Sequence, residues 1–378
     1  MIVFQIVNNI STDNFGGGAE MFALRLAEKL SEDLESHVIA VWHYGTEKER
    51  QIEERLHENV KIHYLFNAIP RKKINIFTLY RKLQEIFTSF PPNTINSHSA
   101  LPDVINIIIK IFIGQKIKIV RTMHTDKKWV SNFYLEECLL NIFPIIFDSE
   151  VAISQATKNR LDKRFIAKLV RRQSVYIPNG ISEEVINYLD VNQTIEKMND
   201  DFKLVTVGRL CEQKGYKYLI EAMKILVDCD CLNDKKISLF IIGEGNLKNE
   251  LLNLSEKLGL TKRIHFLGFR QDVLKIIASS NLFISSSLWE GIPTVLLEAM
   301  ALCVPIIATD IPGTRELIVD QQTGILVQPK NPKQLAKAIR RFICDPDATV
   351  SLVNNSRMYV RDFTMIKVKE KYLGIYRD

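Results

Sequence analysis

The chain has 378 residues, 46% of them apolar and 25% charged, with a net charge of +6. That length calls for two domains of roughly 180 residues each, and the composition is that of an ordinary globular protein rather than a disordered or fibrous one. The positive balance is too small to indicate a nucleic-acid partner, and the scattered cysteines form no CxxC pair of the zinc or thioredoxin kind, so a reducing compartment fits them best.

The first seven residues lack a basic leader and read as a strand, not a signal peptide. The longest apolar run, Val104 to Ile113, is interrupted by Asn106 and Lys110. It falls short of the ~20 residues that cross a bilayer, so a cytoplasmic chain is expected, attached at most to the inner face of the cell membrane.

Ile2 to Val7 is the first strand, followed by a glycine-containing loop to Gly18 and an amphipathic helix from Ala19 to about Glu32. Strands follow at His37 to His43 and Val60 to Leu65, then a helix at Ile74 to Phe87. Next come a strand at Thr94 to Ser97, a helix at Leu101 to Phe112 and a strand at Lys116 to Met123. Short strands at Val151 to Ile153 and Ser174 to Ile177 flank a basic helix. Apolar strands alternating with helices imply a parallel sheet covered on both faces.

The polar stretch 182–201 breaks this rhythm and reads as a linker. From Phe202 the alternation restarts, with strands ending at Gly208, Gly243, Gly268 and Ser287, then Pro305 to Thr309 and Gly324 to Val327. The expectation is an α/β protein of two facing, doubly wound, Rossmann-like domains. They occupy 1–181 and 202–363, and an amphipathic segment, 364–378, packs back on the first. Ligands of such sheets lie beyond the carboxyl ends of the strands, so one cleft between the domains is the expected site.

Candidate residues cluster at those ends. In SLWEGIPTVLLEAM, Glu290 and Glu298 flank Gly291 and an apolar helix that Thr294 is placed to cap. Glu298 is then a carboxylate near the helix's first turn among hydrocarbon, and needs either a ligand hydroxyl or a protein cation as partner. Arg209 and Lys214 follow the strand ending at Gly208, where two cations suit a diphosphate or are merely solvated. Gly243-Glu244-Gly245 reads as a ligand loop or as a tight turn. Gly16-Gly17-Gly18 opens the first helix, where glycine admits an anion to backbone amides or simply makes a loop. Neither the dinucleotide fingerprint nor the P-loop fits this run. His98 and His124 both follow apolar strands, so each suits sugar binding, proton transfer or a structural bond. Pro178-Asn179-Gly180 is a turn at the domain exit.

The ordered series GGGAE, HTD, IPNG, VGRLxxxKG, IIGEG, EGIPTVLLEAMA and TDIPGTRELI resembles the retaining glycosyltransferases of the GT-B fold, above all their family 4, which uses nucleotide sugars. The resemblance spans nearly the whole chain and is most specific in the second half. It implies that Arg209 and Lys214 grip the donor diphosphate and that Glu298 holds the ribose hydroxyls. It places Glu290 against the transferred sugar, with the backbone of Gly291, Ile292, Pro293, Thr294 and Val295 meeting sugar and phosphate. Gly17 and Gly18 match the glycine loop near phosphates and acceptor, and His124 a histidine that contacts the donor sugar. His98, Asn179, Gly243 and Gly245, read from their places after strands, complete the candidate substrate-binding set.

Three departures stand out: EGIP replaces EGFG, Thr125 separates His124 from Asp126, and Cys303 takes a glycine position, a change read as one of packing.

The resemblance further implies retention of anomeric configuration, no cofactor and no metal, since cations and helix amides take up the charge of the leaving diphosphate. The implied donor is a nucleotide sugar, UDP-linked by preference, carrying a hexose or N-acetylhexosamine. The implied acceptor is a lipid-linked or lipopolysaccharide glycan in surface-polysaccharide synthesis. Two basic segments, from Arg71 and over 163–172, suit an anionic membrane or a solvated helix face. Competing readings are a hydrolysing UDP-sugar 2-epimerase, for which the first domain shows no convincing carboxylate pair, and a catalytically silent binder of nucleotide sugars.

Overall fold

The computed structural model describes residues 1–10, 18–67, 75–113, 116–124, 141–188, 202–229, 236–345 and 347–377. Gly16, Gly17, the Arg71–Lys73 cluster, Thr125, Asp126 and most of the linker, 189–201, lie outside the described residues. The chain divides into two compact units, Met1–Asn179 with Met365–Asp378, and Gly180–Thr364.

The first unit is built on seven parallel strands in the order β3-β2-β1-β4-β5-β6-β7. They are β1 (Ile2–Val7), β2 (Glu35–His43), β3 (Val60–Asn67), β4 (Thr94–Ser97), β5 (Lys118–Met123), β6 (Ser149–Ala152) and β7 (Val175–Tyr176). Order reverses between β1 and β4, whose register pairs Val3 with Thr94 and Ile6 with Ser97. One face of the sheet is covered by Leu79, Leu83, Ile105 and Ile109 from the helices Ile76–Ser89 and Ala100–Phe112. On the other, Phe22 and Leu26 of helix Gly18–Leu30 and Val368, Tyr372 and Tyr376 of helix Met365–Arg377 pack on Val3, Val120 and Val151. The last helix is thus part of this unit's core, and Lys369 fastens it to Glu32 and Asp33 at 2.9 and 2.7 Å. Inside the unit Arg121 on β5 is buried between Asp103, 2.8 Å away, and Glu150 on β6, at 3.2 Å.

The second unit has six parallel strands in the order β10-β9-β8-β11-β12-β13. These are β8 (Phe202–Val207), β9 (Ile237–Ile242), β10 (Ile264–Gly268), β11 (Leu282–Ser285), β12 (Ile306–Thr309) and β13 (Ile325–Val327). Strand residues Leu204, Leu239, Ile241, Leu282, Ile284 and Ile307 meet Leu219, Met223, Ile339 and Phe342 of the covering helices. Here order reverses between β8 and β11, so the loops that follow these two strands flank the switch point, where α/β sheets bind ligands. This unit begins at Gly180, just ahead of the stretch read as a linker, and the Ile181 N–H donates to Phe363 O at 2.9 Å.

Two local expectations change. The helix Thr294–Ala301 is preceded by an extended Pro293 (φ −74°, ψ 104°), so Thr294 is its first residue and not its cap. Glu298 is consequently in the second turn, past the reach of the favourable end of the helix dipole. Cys303, read as a packing change, instead sits in the left-handed region at φ 54°. Its N–H bonds Met300 O at 3.1 Å and the next N–H, on Val304, bonds Ala299 O at 3.0 Å. This is a Schellman ending, whose left-handed residue is normally glycine. Among the described residues Cys211, Cys303 and Cys344 carry no disulfide.

Candidate active site

In the second unit the loops after β8 and β11 are joined by a dense set of bonds. Lys214 Nζ lies 2.6 Å from Glu290 Oε1, with both side chains largely buried. The same carboxylate accepts from Ser287 Oγ at 2.8 Å and from Gln213 Nε2 at 3.1 Å. Gln213 also donates to Trp289 O at 3.0 Å, and its carbonyl accepts the Leu288 N–H at 2.7 Å. Ser286 Oγ donates to Lys214 O at 2.8 Å. Glu290 is therefore a fixed anion with three side-chain donors, and the ammonium of Lys214 is held at one place. A pair so buried is costly unless well bonded, and these bonds supply that.

Arg209 stands exposed two residues beyond the carboxyl end of β8. The structure thus brings Lys214 and Glu290 into contact and leaves Arg209 in solvent beside them in sequence. Glu298 is 8% exposed on the neighbouring helix, and Ile292 and Pro293 are buried, whereas Gly291, Thr294 and Val295 are partly exposed.

Gly243 and Gly245 follow β9. A Cβ on Gly243 would come within 2.2 Å of Gly208 O, and one on Gly245 within 2.3 Å of Leu210 O. Both glycines let this turn lie against the backbone that carries Arg209, which is packing rather than a demonstrated ligand contact. The turn after β12 closes on the loop from the other side. Thr309 Oγ1 donates to Ser287 O, Thr314 Oγ1 bonds Thr309 O and Ile311 O, and Gly313 packs directly on Gly291.

In the first unit His98 and His124, which follow the adjacent strands β4 and β5, face each other with Nδ1 of the first 3.0 Å from Nε2 of the second. His98 is 2% exposed and His124 partly exposed, with Phe22 edge-on to its ring at 5.2 Å. Burial holds His98 well below the usual imidazole range and pushes His124 down to about 3, so both rings are neutral near neutral pH. Asn179 is buried and Gly18 is exposed.

Sequence reasoning missed Gln213 and Ser287, the partners of Glu290, and the buried polar set of Gln5, Asn96, Thr122, Tyr372 and Tyr376, which reaches His98 through Gln5 and Asn96. Gln5 carried a signal: it is a polar residue in the middle of the apolar strand IVFQIV, and a buried polar group must be bonded.

Two parallel α/β units of this topology, with a charged site at the switch point of the second, define the GT-B fold. Residues 190–359 match the family model described as glycosyl transferases group 1, and residues 16–185 that described as glycosyltransferase family 4. The chain belongs to these glycosyltransferases.

Among curated relatives, an uncharacterized glycosyltransferase of Methanocaldococcus jannaschii is 29% identical over 63% of this chain and 60% of its own. An Escherichia coli UDP-Gal:alpha-D-GlcNAc-diphosphoundecaprenol alpha-1,3-galactosyltransferase is 32% identical over 53% of each chain. The match thus spans about half to three fifths of those relatives' length. Anabaena HepE, solved with UDP-glucose, superposes with a TM-score of 0.79 over 99% of both chains at 19% identity, which shows a shared fold.

Proposed function

We propose that the chain transfers a hexose or N-acetylhexosamine from a nucleotide sugar, UDP-linked by preference, to a glycan acceptor carried on a lipid, in the synthesis of a surface polysaccharide. The observation that supports this most is the Lys214–Glu290 pair at the switch point of the second unit, beside the exposed Arg209. Lys214 and Arg209 suit a diphosphate, and Glu298 suits the ribose hydroxyls. Glu290, held by Gln213 and Ser287, suits the transferred sugar. His124 is assigned to the donor sugar by its match to the family histidine.

The proposed reaction breaks the bond between the anomeric carbon and the β-phosphate oxygen. The acceptor hydroxyl oxygen bonds that carbon from the same face, and its proton passes to the departing phosphate. Negative charge grows on the leaving diphosphate, where Lys214 and Arg209 stabilise it. A preorganised donor of this kind is worth about 10²–10³ in rate. With two cations in that role the proposal needs neither cofactor nor metal. An inverted anomer in the product, read by NMR, would refute the same-face step.

The lipid-linked acceptor has a surface to match. On the short helix Phe165–Leu169, Phe165 and Leu169 are 74% and 69% exposed, among exposed Lys163, Lys168, Arg171 and Arg172. Apolar side chains ringed by cations suit an anionic membrane surface. Among the described residues no helix is long and apolar enough to cross a membrane.

A thermal-shift panel of UDP-, GDP- and ADP-sugars tests the donor. A ligand at 100 times its Kd adds about 2.7 kcal/mol. No shift with any of them would refute the proposal.

A further inference from the structure

Beneath the helix Met365–Arg377 runs a chain of buried polar side chains that ends at His124. Tyr376 OH accepts from Asn96 Nδ2 at 3.0 Å and from Gln5 Nε2 at 3.3 Å. Asn96 Oδ1 accepts from Thr122 Oγ1 at 3.1 Å, and Thr122 is in turn 2.9 Å from Tyr372 OH. Asn96 Nδ2 also donates to Gln5 Oε1 at 3.1 Å. Gln5 Oε1 then lies 2.7 Å from His98 Nε2.

With the two amides as the structure sets them, these contacts share one polarity. The amides of Gln5 and Asn96 both point hydrogens at the Tyr376 oxygen. Turning the Gln5 amide alone would set its NH₂ against that of Asn96, donor to donor; turning both would hand His98 a donor instead of an acceptor, and the tautomer of the histidines tells the two arrangements apart. In this arrangement Gln5 offers its oxygen to His98, and at 2.7 Å that oxygen requires a proton on Nε2. The short approach of Asn96 Nδ2 to the same nitrogen, 3.2 Å, is then a contact and not a bond. A neutral His98 protonated at Nε2 has a bare Nδ1, which accepts from His124 Nε2–H at 3.0 Å. His124 is left with Nδ1 unprotonated, and among the described residues that nitrogen has no hydrogen-bond partner.

We propose that Tyr376, Asn96, Gln5 and His98 are positioning residues that fix His124 in the tautomer protonated at Nε2 and present its Nδ1 as a hydrogen-bond acceptor for a hydroxyl of the donor sugar. This rests on the reading of His124 as a donor-sugar contact. Burial keeps both rings uncharged, so the relay passes orientation rather than a proton. It also gives the last helix a second task besides covering the sheet, because its Tyr376 hydroxyl is the acceptor that the Gln5 and Asn96 amides share.

The test is long-range ¹H–¹⁵N correlation on protein labelled at histidine, with His124→Gln used to assign the signal. Wild type is expected to show His124 protonated at Nε2 alone. Tyr376→Phe removes the shared acceptor and frees the Gln5 amide to turn. The His124 nitrogens should then shift toward the Nδ1-protonated form, and transfer should fall roughly three- to tenfold, the worth of one hydrogen bond. Asn96→Asp, which reverses the polarity at the same point without shortening a side chain, should do likewise and serves if Tyr376→Phe does not fold. Gln5→Glu keeps an acceptor toward His98 and should keep the wild-type tautomer.

His124 protonated at Nδ1 in wild type, or an unchanged tautomer in Tyr376→Phe and Asn96→Asp despite a lowered Tm, overturns the relay. The spectra decide the relay by themselves. Full transfer by His124→Ala would instead overturn the sugar-contact reading.

Discussion

Gly313→Ala isolates the dependence of the candidate site on its supporting turn. A methyl group at that position would lie 1.7 Å from Gly291 O and 2.7 Å from Glu290 O. Carbon and oxygen approach no closer than roughly 3.3 Å without cost, so a gap of about 1.6 Å must open. Thr314 is fully buried and bonded to Thr309 and Ile311, which pins the turn carrying Gly313. The loop at Glu290 and Gly291 is partly exposed and yields more easily. Its carboxylate then leaves Lys214, Ser287 and Gln213. Overpacking of this kind costs about 1–3 kcal/mol of stability, and a misplacement near 1 Å costs roughly 10²-fold in rate. Release of UDP from a UDP-sugar in the presence of acceptor would be followed alongside the melting temperature. The expected result is a folded protein with a lower Tm and about a hundredfold slower turnover. Wild-type turnover in Gly313→Ala would show that the placement of Glu290 and Gly291 does not matter to the reaction.

Cys303→Gly should stabilise the protein by about 1 kcal/mol, since a side chain in the left-handed region costs roughly 1–2 kcal/mol and glycine's extra freedom when unfolded returns part of it; an unchanged denaturant midpoint would contradict this. Acid should destabilise the first unit early: His63, His98 and His124 all have folded pKa values below the ordinary 6.5, His63 at about 4 and His124 at about 3. Below about pH 6.5 the unfolded chain binds protons that the folded one does not, so stability is full above that pH. It falls on acidification by about 1.4 kcal/mol per pH unit for each such histidine until its folded pKa is reached. Unfolding curves from pH 7.5 to 5 would show this, and a His63→Gln variant should have the shallower slope. Glu290→Gln keeps the side-chain shape but removes the counter-charge of Lys214, so it should bind UDP a few-fold more tightly while transferring sugar more slowly; weaker UDP binding would argue that the pair does not face the diphosphate.

Much of the fold was legible because strands buried on both faces leave unbroken apolar runs, as in VIAVWH or LFII, and helices between them leave a different period. What periodicity does not contain is strand order. That β4 and β5 are neighbours, and so that His98 meets His124, depends on contacts between distant segments. Glu290 and Lys214 were readable from their places after strands, but their partners Gln213 and Ser287 were not, because glutamine and serine in loops are ordinary. The cap was misread at Thr294 because Pro293, with no N–H to give and a fixed φ, already makes the extended entry that a capping residue makes. The backbone at Cys303 was hidden for the opposite reason: cysteine gives no sequence sign of a positive φ, which glycine at the same place would have given.

The central claim is that Arg209 and Lys214 hold the diphosphate of a nucleotide sugar on the second unit. Calorimetric titration of UDP into the wild-type protein, Arg209→Ala and Lys214→Ala tests it most directly. A charge-assisted bond is worth about 1.5–3 kcal/mol, so each variant should bind UDP roughly 10- to 150-fold more weakly; the exposed Arg209→Ala should leave the melting temperature little changed, whereas Lys214→Ala, which strips the buried Glu290 of its counter-charge, should lower it. Wild-type affinity in both variants, or no UDP binding by the wild-type protein, would contradict the account.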